Sequence, residues 1–196
     1  MTAWIAKYFA KIKYRRLVLE TIVSGPLPRA LQKTYLFGDG IIFFGAGVTF
    51  GWPRSPGFDT SSAYIEARRK KSQIRIGENC IFSNDIAIIS EYESSDPGIT
   101  IGNRLVCGSR FRCYDSDFHG IVAEKRHDLS SVKTDCVSIG NDCFIGENVM
   151  ILKGAHIGNK CVISAGSVIY KGVYPDNSII AGNPACVIRR INDPVS

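Results

Sequence analysis

The stretch NDCFIGENVMILKGAHIGNKCVISAGSVIY, residues 141–170, places isoleucine at positions 145, 151, 157, 163 and 169. A step of six matches neither the 3.6-residue turn of an α-helix nor the two-residue alternation of a flat strand. It suits a short strand followed by a corner, repeated. The series begins at Ile139, and glycine follows in Ile139-Gly140, Ile145-Gly146 and Ile157-Gly158. The fifth place of each hexad is small or β-branched: Cys143, Val149, Ala155, Cys161, Ser167 and Val173. With two inward positions per hexad, three strands close a triangular coil of eighteen residues. Residue i then lies under residue i+18 at the roughly 4.8 Å spacing of a parallel sheet.

Upstream the rule continues with interruptions. Ile101, Cys107 and Cys113 form one coil, and Ile76, Phe82 and Ile88 another, with Cys80 and Ile86 at fifth places. Ile76 to Ile101 exceeds one coil by seven residues, and Ile101 to Ile139 exceeds one coil by twenty. The excesses place insertions near EYESSDPG (91–98) and HGIVAEKRHDLSSVKTDC (119–136), both polar and rich in turn residues or charge. Repeat folds project insertions from one face, often the working one. FFGAGVTFG (43–51) reads as a degraded first coil and WPRSPG (52–57) as a turn. At the N-terminus Trp4, Ile5, Tyr8, Phe9 and Ile12 follow helical spacing among Lys7, Lys11, Lys13, Arg15 and Arg16. That predicts a helix ending before GPLP (25–28), which covers the open end of the coil or touches an acidic membrane surface.

The 196 residues are enough for one well-buried core. A net charge of +6 suits an acidic partner such as a phosphorylated cofactor. Nucleic acid is set aside, since no aromatic and basic platform that reads bases is visible. There is no run of eighteen apolar residues and no signal core with a cleavage site, so the expected location is cytoplasmic, with possible contact at the inner face of the membrane. Seven cysteines with no pairing pattern read as reduced thiols. Five of them, Cys80, Cys107, Cys113, Cys143 and Cys161, fall on inward phases and are expected to fill the core. Cys136 and Cys186 lie outside the pattern.

Together with the hexads, CYDSDFHG (113–120) and IIAGNPACVIRRI (179–191) make the chain similar to the hexapeptide-repeat acetyltransferases over roughly residues 41–191. It most resembles the group containing lipopolysaccharide and capsule O-acetyltransferases and galactoside and antibiotic acetyltransferases. The resemblance implies an all-β solenoid, a left-handed parallel β-helix, working as a homotrimer with acetyl-CoA as co-substrate. The expected organisation is an N-terminal helical segment (1–35), the β-helix (36–191) with a protruding loop near 119–136, and a tail (192–196).

His119 stands where the hexads stop, so its imidazole can project from the prism. An imidazole near neutral pH can accept the proton of an attacking hydroxyl or amine, at a typical benefit of roughly 10² to 10⁴ in rate. The resemblance places the family's active-site histidine here. Asp115 and Asp117 alternate with it, and either can hold the ring's tautomer or the acceptor. His156 is expected to point outward near a corner, and His127 lies in a charged stretch. Histidines at 119, 127 and 156 do not supply the spacing of a zinc site, so no metal is expected.

In the resembled family the cofactor lies between neighbouring subunits along the C-terminal coils. That carries over to Ser164, Ala165 and Gly166, where small residues let a thin chain approach the backbone. Lys160, Lys171, Arg189 and Arg190 are placed to meet phosphates. Gly182, Asn183 and Pro184 mark the turn out of the last coil, with Asn183 a candidate cofactor contact. The reading is transfer of an acetyl group to a saccharide hydroxyl in surface polysaccharide or lipopolysaccharide synthesis, by direct attack. Acetylation of an amino sugar or an antibiotic is the alternative, and a non-enzymatic β-helical scaffold a third.

Overall fold

The computed structural model describes residues 17–192. Strands β1 (Leu17–Ser24), β2 (Arg29–Ala30), β3 (Thr34–Phe44) and β4 (Thr49–Phe50) come first. Next are β5 (Ala63–Ala67), β6 (Gln73–Ile76), β7 (Ile81–Phe82), β8 (Ile86–Ser90), β9 (Ile99–Ile101), β10 (Val106–Cys107) and β11 (Arg112–Tyr114). After a long loop follow β12 (Val137–Ile139), β13 (Phe144–Ile145), β14 (Met150–Ile151), β15 (Ala155–Ile157), β16 (Val162–Ile163) and β17 (Val168–Ile169). The last strands are β18 (Gly172–Tyr174), β19 (Ser178–Gly182) and β20 (Ala185–Arg190).

Every third strand stacks in parallel, which makes a β-helix with three faces. The second half of β3 with β6, β9, β12, β15 and β18 forms the first face; β2, β4, β7, β10, β13, β16 and β19 form the second. The first half of β3 with β5, β8, β11, β14 and β17 forms the third. β3 therefore turns from the third face to the first at Gly38-Asp39-Gly40. Only glycine fits at position 38: its φ is +108°, and a Cβ would lie 1.9 Å from the Ala67 carbonyl oxygen.

The register bears out the hexad arithmetic from Ile139 to Ile169; beyond it the coil is one residue shorter, so Ile157 pairs with Tyr174 and Val173, expected inward, is exposed. Ile139 pairs with Ile157, Ile145 with Ile163 and Ile151 with Ile169, each eighteen residues on. The same residues pair upstream with Ile101, Cys107 and Cys113, which locates the twenty-residue excess between Cys113 and Val137. All these isoleucines are buried, and each contributes roughly 1.5–3 kcal/mol by leaving water. The five expected core cysteines are buried too. Three of them point their thiols into the next coil's corner: Cys80 to the Gly102 carbonyl at 3.1 Å, Cys143 to Gly158 at 3.2 Å and Cys161 to Pro175 at 3.3 Å.

The N-terminal segment differs from expectation. Residues 17–24 are not helical; β1 pairs in parallel with β3, from Leu17 beside Thr34 to Ser24 beside Phe43. Val18, Thr21, Ile22 and Val23 are β-branched and favour the pleated edge that β3 offers. Strands β2 and β3 also occupy part of the span assigned to a helical segment (1–35). The helix expected over Trp4 to Ile12 lies outside the described residues, as does the tail from residue 193. At the other end the AGNP turn is as expected, since β20 folds back antiparallel on β19.

Candidate active site

Three insertions leave the prism at one corner, where the third face passes to the first. They are residues 68–72, 91–98 and the loop between Tyr114 and Val137. The last has an antiparallel neck, in which Ser116 bridges Thr134, the Asp117 amide donates to the Lys133 carbonyl at 3.1 Å, and the Asp135 amide donates to Asp115 at 2.9 Å. Beyond the neck, Phe118 takes a left-handed backbone with φ of +60°, and the His119 amide donates to the Asp117 carbonyl at 2.7 Å. This tight turn leaves the His119 imidazole exposed. It faces a cleft of about 580 Å³ lined also by Asp39, Arg68, Arg69, Lys70, Glu91, Glu93, Phe118 and Leu129.

The two aspartates beside His119 are engaged elsewhere. Asp115 is fully buried and accepts from Ser90 Oγ at 2.5 Å, the Glu91 amide at 2.8 Å and the Tyr92 amide at 3.3 Å. It clamps the 91–98 insertion to the root of the His119 loop. Burial raises its carboxyl to about pH 6, against the three donors that favour the ionised form. Asp117 Oδ2 accepts from Lys153 Nζ at 2.8 Å, tying the loop to the next coil. In this structure neither carboxylate is hydrogen-bonded to the His119 ring; both brace the loop through the partners named. The ring beside His119 is that of His127, at 6.4 Å between centroids and nearly perpendicular.

Expected cofactor residues are spread over all three corners. Ser164, Ala165 and Gly166 form the turn between β16 and β17, and a Cβ on Gly166 would meet open space. The Gly182 amide donates to Ser167 Oγ at 3.3 Å, which draws the hairpin turn carrying Asn183 to the same corner. Lys171 lies at the insertion corner, paired with Asp135 at 2.7 Å. Arg190 binds the Asp176 carbonyl near the cysteine corner, Lys160 lies at that corner, and Arg189 sits opposite Ile179. One chain thus joins Ser164–Gly166 with Asn183 but does not bring them to His119. His156 points outward, its Nδ1 2.9 Å from Ser138 Oγ on the neighbouring strand. No metal-binding cluster is present among the described residues.

Sequence reading had not singled out Arg68, Arg69, Lys70, Glu91, Ser116 or Phe118. Arg68 to Ser72 could have been found by spacing, because Ile65 on the third face and Ile76 on the first stand eleven residues apart, against six for Ile151 and Ile157.

Residues 136–171 match the family described as the hexapeptide repeat of succinyl-transferase. The match covers β12 to β17, the coils that carry the unbroken hexads. The chain is 27% identical over 202 residues to the putative lipopolysaccharide biosynthesis O-acetyl transferase WbbJ of Escherichia coli (strain K12), covering 96% of this chain and 93% of that protein. Among solved structures it is similar to galactoside acetyltransferase in complex with coenzyme A, at 21% identity and a TM-score of 0.50, covering 98% of this chain and 74% of the other. It is also similar to AntD, an N-acyltransferase from Bacillus cereus in complex with dTDP and 3-hydroxybutyryl-CoA, at 18% identity and a TM-score of 0.59, covering 94% and 87%. The shared fold is the left-handed parallel β-helix. No helix among the described residues is long and apolar enough to cross a membrane.

Proposed function

We propose that this protein is an acetyl-CoA-dependent acyltransferase that acetylates a saccharide hydroxyl in surface polysaccharide or lipopolysaccharide synthesis, with His119 as general base. The observation that carries the reading is His119 itself: an exposed imidazole on a tight, braced turn, facing a polar cleft. Carboxylates, guanidinium groups and an ammonium alternate around that cleft, and a polyhydroxylated acceptor needs donors and acceptors of both kinds. The likeness to an O-acetyl transferase along nearly the whole chain supports the reaction class.

In this reaction the acceptor hydroxyl attacks the thioester carbonyl while His119 takes its proton, and coenzyme A leaves as the thiolate. No covalent enzyme intermediate is needed. The imidazolium then returns the proton to the leaving sulfur. Because Ser164–Gly166 and Asn183 stand at a different corner from His119, a complete site takes the cofactor groove of one copy and the histidine of another, consistent with a homotrimer. Release of free thiol from acetyl-CoA, followed with panels of neutral and amino sugars, tests the proposal and separates O- from N-acetylation. His119→Ala should lower the rate by roughly 10² to 10⁴.

A further inference from the structure

We propose that Glu91 is a positioning residue for His119, acting through Ser116 and Arg68 on the turn at Phe118. This rests on the reading of His119 as the base. Glu91 is buried at 6% exposure, and its two carboxylate oxygens face different partners. Oε2 accepts from Ser116 Oγ at 2.5 Å, and that hydroxyl oxygen in turn accepts the Phe118 amide at 2.9 Å. Oε1 lies 3.3 Å from Arg68 Nη1 and 3.7 Å from Arg69 Nη2. The Arg68 guanidinium, held on its other side by Glu66 at 2.8 Å, sits 5.2 Å from the centre of the Phe118 ring. Tyr114 meets that ring edge-on at 5.3 Å.

Phe118 is thus gripped at its amide and at its ring, and both grips lead to Glu91. A left-handed backbone is costly for a bulky residue and persists only where the surroundings hold it. Phe118 is also the residue before His119, so a change in its φ swings the imidazole. The clasp is reciprocal: the Glu91 amide donates to Asp115, one residue before the Ser116 that donates to the Glu91 side chain. A carboxylate held by Ser116 and Arg68 thereby sets where the base stands. A misplacement of about 1 Å costs on the order of 10²-fold in such reactions.

The test uses the full chain and the variants Ser116→Ala and Glu91→Gln, each alone and combined with His119→Ala. The expected result is a fall in kcat on the order of 10²-fold for Ser116→Ala. A smaller fall is expected for Glu91→Gln, which keeps an acceptor for Ser116 but loses the ion pair. The KM for acetyl-CoA should be unchanged, and neither change should cause further loss once His119 is alanine. Imidazole ¹H–¹⁵N spectra of the free protein give an activity-independent readout, with His119 assigned by its absence in His119→Ala. Ser116→Ala should move the His119 signals and leave those of His156 in place. Unmoved His119 signals, or an undiminished loss in the double variant, overturn the proposal. Moved signals together with full transfer by His119→Ala would instead overturn the catalytic reading and leave the positioning intact.

Discussion

Asp117 and Lys153 form a 2.8 Å ion pair that joins the His119 loop to the coil beneath it, across 36 residues of sequence. Both side chains are about a quarter exposed, so the pair is worth about 1 kcal/mol or less in stability. Its larger effect is on geometry. Lys153→Met should leave the melting temperature within a few degrees while lowering kcat several-fold, and high salt should lower wild-type kcat in the same direction. Steady-state kinetics with a thermal melt check this, and an unchanged kcat at all salt concentrations would refute it.

Asp115 predicts a pH signature. Its folded carboxyl titrates at about 6, above the ordinary 3.8, because burial disfavours the charge. The folded state therefore holds the proton more tightly than the unfolded chain, and stability falls as pH rises from about 4 to 6, then levels off. The shift corresponds to about 3 kcal/mol. Urea unfolding between pH 4 and 7 should show this decline in the wild type and a flatter profile in Asp115→Asn. Parallel profiles would count against it.

The ladder predicts a core effect with no site involvement. Ile145 is fully buried between Cys107 and Ile163 on the second face. Ile145→Ala should cost about 2–5 kcal/mol in unfolding free energy, because stacked strands leave little room to collapse around the cavity. Denaturant titration measures it, and a loss under 1 kcal/mol would contradict the ladder's role.

What the sequence revealed follows from how a coil is built. Steps of six fix which residues share a ladder, so Ile139 to Ile169, the five core cysteines and both long insertions were legible. The insertion at Arg68–Ser72 left a fainter signal, the eleven residues from Ile65 to Ile76, because no unbroken hexad series runs before Ile76. The strand at Leu17–Ser24 was absorbed into the expected helix, since it carries no isoleucine series at steps of six to mark it as part of a coil. Neighbouring hexads lie on different faces, so Lys160, Ser164 and Lys171, close in sequence, end at different corners. The braces of His119 were invisible for the same reason: Glu91 and Ser116 meet only because two insertions leave one corner.

If His119 removes the acceptor's proton during transfer from acetyl-CoA, its loss must slow transfer without loosening the cofactor. The most direct measurement is the rate of thiol release with a saccharide acceptor for wild type and His119→Ala, beside the melting-temperature rise that acetyl-CoA induces in each. The variant should keep the acetyl-CoA-induced rise but lose roughly 10² to 10⁴ in kcat. Equal transfer rates in the two proteins would contradict it.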